Sequence, residues 1–287
     1  MKKILFALFI VFSSQIFAKP VVVVSILPEK TFVQKIAKDL VDVTVMVEPG
    51  SSPHSYEPKS SQMISISKAD VYFSIGVEFE NVWLSKFKSQ NPTLQFVNLS
   101  DTIAKIEMQE HHHEDKHKNE THDEHSGHDP HTWTSPKNVA IMAHTIYKTL
   151  TEIDPKNKEL YKANLDDFIK EINNTDTQIK EALKDLQPKS TFMVFHPSWG
   201  YFAHEYNLEQ IAVEVDGKSP KPKEMIMIIK EAKEEKVRVI FTQPEFSDKS
   251  AKIIAKEANV RVQKISPLNA EWSQNLINMA KAIANKK

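Results

Sequence analysis

Histidine dominates the chemistry open to this chain. Of its twelve histidines, eight crowd into "EHHHEDKHKNETHDEHSGHDPH", residues 110–131. Three are set apart by their surroundings: His54 in "EPGSSPHSYEP", His131 in "HDPHTWTSP" and His196 in "VFHPSWGYF". Each adjoins a proline (Pro53, Pro130, Pro197), and the fixed φ of proline stiffens the backbone that carries the ring. A neutral imidazole is a good ligand for Zn2+, and three protein ligands plus water or a carboxylate complete a four-coordinate site. His144, four positions before Lys148, and His204, close behind Phe202, fall in helical stretches and read as ordinary helix residues.

The crowded run invites an enzymatic reading. "HEDKH", from His113 to His117, satisfies the metalloprotease pattern H-E-x-x-H. That pattern works only on a helix that sets both rings on one face and buries them. Nothing apolar flanks it here, and a tract this rich in His and Glu produces the match by composition. No Ser–His–Asp or Cys–His set is suggested elsewhere, so no catalytic residues are assigned and the chain is not expected to be an enzyme. The alternative, a zinc-dependent hydrolase, needs an open position on a three-histidine site and a general base within reach. His111, His112, His113, His117, His122, His125 and His128 read instead as a low-affinity metal loop beside a tighter site.

The chain has no cysteine, which excludes disulfides, thiolate zinc sites and a lipoprotein anchor through an N-terminal Cys. Five glycines are too few for a phosphate-cradling loop. The formal net charge of −1 becomes −3 once Lys2 and Lys3 are removed with a leader. Such a balance gives no reason to expect a nucleic acid or an anionic membrane as partner.

The elements that must position the histidines follow from apolar patterning. Residues 1–18, a basic start followed by "ILFALFIVF" and a small residue at Ala18, read as a signal peptide, too short to span a bilayer. Cleavage there leaves 269 residues and an expected periplasmic location, with no membrane insertion of the mature chain. Apolar β-branched runs at 21–27, 43–47, "DVYFSIG" and "LQFVNL" then alternate with amphipathic helices, which predicts an α/β layer with parallel strands. Residues 107–130 lack apolar periodicity and predict a disordered His-rich loop. A helix follows it, with Ser135 as N-cap and Pro136 in the first turn. One long helix is expected from Pro155 to about Leu186, and Pro188 ends it. A second alternating series runs to the end of the chain.

The expected fold class is therefore α/β, with two lobes of parallel sheet and flanking helices joined by one long backbone helix. The expected boundaries are 19–153 for the N-terminal lobe, 154–187 for the linking helix and 188–287 for the C-terminal lobe. Loops at the carboxyl ends of parallel strands hold ligands, which puts the site in the cleft between the lobes. "EINNT" around Asn173 also fits an acidic N-glycosylation pattern, although on a predicted helix.

"PGSSPHSYEP", "HDPHTWTSP" and "FHPSWGYFAHEYNL", in this order and with "YKANLDDFIKEI" between the last two, resemble the metal-binding receptors of ABC importers, nearest the ZnuA-type zinc receptors. The resemblance covers nearly the whole chain from Val21. It implies two lobes on a stiff helix and a monomeric receptor that captures Zn2+ and delivers it to an inner-membrane ABC permease. It places the metal ligands on His54, His131 and His196. In the manganese-binding branch the third place is typically a glutamate, so His196 favours zinc over the Mn2+ or Fe2+ receptor that is the alternative. An adhesin-like surface protein is the weaker third reading. One departure stands out: "ISPLNAEW" puts Ser266 where the family often has an aspartate. A water bonded by Ser266 is then expected in the fourth place, with Glu57, Glu245 and Asp129 as alternatives. Asp129 is also suited to hold the second nitrogen of a ligand histidine.

Overall fold

The computed structural model of the chain describes residues 18–108, 127–215 and 217–284. The expected leader up to residue 17, the "HEDKH" pattern and His111, His112, His113, His117, His122 and His125 lie outside the described residues.

The first alternating series forms β1 (Val21–Val24), α1 (Leu27–Ala37), β2 (Asp42–Val45), α2 (Ser60–Lys68), β3 (Val71–Ser74), α3 (Glu78–Gln90) and β4 (Gln95–Asn98). The strands make one parallel sheet in the order β2-β1-β3-β4. Val22, Val23 and Val24 pair with β2 on one side and β3 on the other and are fully buried. That is why they form a continuous apolar run rather than an alternating one. After the polar stretch comes α4 (Pro136–Ile153). As expected, Ser135 caps it, its Oγ accepting from Asn138 N at 3.1 Å, with Pro136 in the first turn.

The long helix is α5 (Lys158–Leu183), 26 residues or about 39 Å at 1.5 Å per residue. It is shorter than expected at both ends. Asp154 Oδ2 accepts from both Asn157 Nδ2 and Tyr161 OH at 2.7 Å, which tightens Pro155–Asn157 into a 3-10 turn. At the far end Leu186 N bonds Leu183 O, closing a turn ahead of Pro188. The Asn173 pattern lies inside this helix. Asn173 is exposed, while Thr175 is fully buried with its hydroxyl bonded to Glu171 O and to Ser273.

The second series repeats the first: β5 (Ser190–Val194), α6 (Gly200–Glu205), β6 (Leu208–Ala212), α7 (Pro222–Glu234), β7 (Val239–Thr242), α8 (Lys249–Ala258), β8 (Arg261–Lys264) and α9 (Trp272–Ile283). Its parallel sheet has the order β6-β5-β7-β8. The expected fold class is the observed one.

α5 packs against α1 and α4 of the first series and α9 of the second. Its buried face, including Tyr161, Leu165, Phe168, Ile172 and Ile179, belongs to a core that reaches both sheets. A smaller core (Met193, Phe195, Ile240, Ile228, Ile254) fills the opposite face of the second sheet under α7 and α8. Two indoles tie the halves beside the strand ends. Trp133 Nε1 donates to Pro267 O, and Trp272 Nε1 donates to Trp133 O, both at 2.8 Å. Each buries a large ring and satisfies its only polar atom. Among the described residues no helix is long and apolar enough to cross a membrane.

Candidate metal centre

The three loop histidines converge. Each offers one ring nitrogen, and the three nitrogens lie within 4.8 Å of one another. His54 Nε2 and His196 Nε2 are 2.8 Å apart. With Zn–N bonds of about 2.0–2.1 Å, tetrahedral ligands stand about 3.3 Å apart. The observed spacing brackets that value, so an ion fits with small ring movements.

His54 sits in the loop after β2. Gly50, at φ +81, turns the chain there in a conformation that glycine adopts freely. Pro53 O accepts from Phe79 N at 3.2 Å, which moors the loop to the first turn of α3. His131 follows the polar stretch. Asp129 Oδ1 accepts from both His131 N, at 2.8 Å, and His131 Nδ1, at 2.7 Å, so one carboxylate sets the backbone turn and the ring. His196 follows β5, and the side-chain amide of Gln243 clamps it by accepting from His196 N and donating to His196 O. Its Nδ1 bonds Glu214 Oε1 at 2.7 Å, and Phe246 stacks on the ring at 4.9 Å.

A carboxylate thus stands behind each ring. Asp129 and Glu214 make hydrogen bonds, and Glu78 Oε2 lies 2.8 Å from His54 Nδ1. Bonding Nδ1 in this way turns Nε2 inward as a lone-pair donor and fixes the plane of the ring. The three pairs differ in access. The side chains of His131 and His196 are 3% and 8% exposed, whereas His54 is 26% and its partner Glu78 42% exposed. Burial lowers the pKa of His196, and Glu214 only partly offsets it. Burial also pulls Glu78 upward, but its contact with His54 outweighs that and leaves it below the ordinary carboxylate range.

The rings line a cavity of about 10 Å³ together with Pro53, Trp133, Glu245 and Phe246, room for about one atom-sized sphere. A far larger groove of about 690 Å³ runs between α1, α5 and the start of α9, but it holds no histidine. Size is a poor guide to the site in this molecule.

The other expected residues separate cleanly. Ser266 Oγ donates to Glu245 Oε1 at 2.7 Å and accepts from Leu268 N at 3.0 Å, so its hydrogen is committed to Glu245. Glu57 is exposed. His128 is exposed and pairs with Glu107 in an isolated antiparallel bridge. His144 and His204 are exposed on α4 and α6.

Sequence reading missed Glu78, Glu214, Gln243 and Gly200. Glu214 had left a signal, as the one acid in the apolar run "QIAVEV". Glu78, the first residue of α3, looks like an acid placed for the helix dipole. Gly200 shows only in three dimensions: a Cβ there would stand 2.2 Å from Asp129 Oδ2, so only glycine lets the second half close over this carboxylate.

Comparison with known proteins agrees with this architecture. The family model ZnuA, "Zinc-uptake complex component A periplasmic", matches residues 22–286. The zinc-binding protein AdcA of Streptococcus pyogenes serotype M3 is 29% identical over 259 residues. That match covers 86% of this chain but 50% of AdcA, so the chain spans about half the length of that relative. The high-affinity zinc uptake system protein ZnuA of Bacillus subtilis is 29% identical over 252 residues, covering 86% of this chain and 78% of that protein. A crystal structure of ZnuA superposes with a TM-score of 0.84 at 39% identity, covering 94% of this chain and 99% of that one.

Proposed function

Since the chain belongs to the ZnuA family of periplasmic components of zinc-uptake complexes, we propose that it is an extracytoplasmic receptor. It captures one Zn2+ between its halves and delivers it to an ABC permease in the inner membrane, making and breaking no covalent bond. The convergence of three inward-facing imidazoles carries the reading. His54, His131 and His196 are its ligands, with Asp129, Glu214 and Glu78 orienting them. Three nitrogen donors suit zinc, whereas manganese sites are richer in oxygen. The ion enters and leaves on the His54 side, where the site is least covered. The two indole bonds between the halves favour small loop and lobe shifts over wide closure. Residues 1–18 act as a cleaved signal, the mature protein works as a periplasmic monomer, and the histidines of residues 111–128 gather zinc weakly.

Zinc titration in competition with a chelator tests this. The native protein should take up one ion tightly, a variant lacking residues 110–128 should keep it, and His54→Ala should weaken it. Tight binding that vanishes with the run yet survives His54→Ala would put the site elsewhere. Native protein purified with manganese would overturn the choice of cargo.

A further inference from the structure

The fourth side of the site has an owner. Glu245, in the loop after β7, is the one acidic side chain that lines the cavity with the three rings. Its two oxygens differ. Oε1 accepts from Ser266 Oγ, while Oε2 is buried with no hydrogen-bond partner among the described residues. A buried carboxylate oxygen without a donor is costly, and the nearby lining offers none, since Phe246, Pro267 and Leu268 are apolar there. The other three carboxylates stand behind the rings on the Nδ1 side and cannot face the ion. The cavity of about 10 Å³ is tight, so the groups that line it are the nearest candidates for the fourth place.

We propose that Glu245 is the fourth ligand of the transported ion through Oε2, and that Ser266 is the positioning residue that holds Oε1. This rests on the zinc-receptor reading above. Glu245 lies outside the 4.8 Å cluster of the three imidazole nitrogens, so ligation requires its carboxylate to move in. A divalent cation draws Oε2 inward while Ser266 keeps hold of Oε1. The acid that Ser266 lacks at its own position is thereby supplied from the neighbouring loop. The resulting set of three nitrogens and one oxygen is a tetrahedral zinc set.

The zinc-loaded structure of the native protein is the direct test, with Oε2 expected at about 2.0–2.2 Å from the ion. A water in that place, with Oε2 further away, overturns the proposal. In solution, Glu245→Gln should lower zinc affinity by at least about tenfold and alter the visible spectrum of the cobalt-substituted protein. Ser266→Ala should give a smaller loss, under about tenfold, with a spectral change of the same kind. Unchanged affinity and spectrum in Glu245→Gln also overturn it. These outcomes are separable from failure of the receptor reading, in which the native protein itself would bind no zinc tightly.

Discussion

The two halves share one topology but use their strand-end loops differently. In the first sheet the loops after β2 and β4 present His54 and His131, and the loop after β1 adds no side chain to the cluster. In the second sheet the loop after β5, counterpart of the loop after β1, presents His196, and the loop after β6 supplies Glu214 behind it. The first half ties its remaining loops with buried acids. Glu29 Oε2 accepts from Ser25 N and Ile26 N, and Glu80 accepts from Ile75 N, Gly76 N and Ser25 Oγ. Burial raises the pKa of both, that of Glu80 to about 7. The second half does the equivalent job beside His196 with a neutral amide, Gln243. Acids that only hold backbone can stand away from the rings, whereas next to His196 a neutral clamp leaves Glu214 as the ring's own charged partner.

Access at the site does not follow the halves, since the first half holds one buried and one partly exposed histidine. His196 and His131 are buried on hydrogen-bonded carboxylates, whereas His54 is partly exposed against a half-exposed one. The largest expected effect follows from this. His196→Ala and His131→Ala should each lower zinc affinity by at least about 100-fold, beyond the usual cost of losing an outer partner. His54→Ala should cost less, because solvent can refill its place. Equal losses in chelator competition would erase the distinction between the buried and the partly exposed histidines.

Glu214→Gln comes next, with an expected loss of about 10–100-fold as His196 loses its orienting charge. Glu78→Gln should change affinity by less than about threefold, since solvent already screens that pair. Isothermal titration of the two variants side by side sharpens the comparison, and a reversed order would break it.

The smallest effect is in pH. In the zinc-free protein His196 resists protonation, because burial lowers its pKa. An unfolded-chain histidine binds its proton near pH 6.5, so unfolding takes up a proton and stability falls as pH drops below about 6.5. Glu80 works in the opposite sense. It stays protonated in the fold up to about 7, whereas an unfolded glutamate ionises near 4.3, so its contribution fades as pH rises through about 7. Melting temperatures across this range should show His196→Gln flattening the acid limb and Glu80→Gln the neutral limb. If both variants parallel the native curve, these groups do not set the profile.

Much of the fold is legible in the residue pattern. Runs such as "VVVV" and "TFMVF" are apolar on consecutive positions because they sit inside parallel sheets, and Ser135–Pro136 announces α4 by its capping chemistry. The long helix is legible in its periodicity, but its ends are not. Tyr161 reaching back to Asp154 sets the first turn, and that is a contact between side chains seven residues apart. In the site, a histidine beside a proline in a strand-end loop marks each of His54, His131 and His196 as a candidate. The partners are harder to read: Glu78 is 24 positions from His54 and Glu214 is 18 positions from His196, with a helix or strand between.

By itself the sequence determined the alternation that makes two parallel sheets, the helix that joins them, the absence of thiol chemistry and the imidazole supply. Those are local properties, set by side-chain type and period along the chain. Only the tertiary structure decided which histidines meet, which carboxylate stands behind each, that Ser266 turns to Glu245, and that Gly200 must carry no Cβ over Asp129. Those depend on two strand-end surfaces being brought face to face across α5 and the Trp133–Trp272 contacts. Spacing along the chain cannot encode a distance that exists only after both halves have packed.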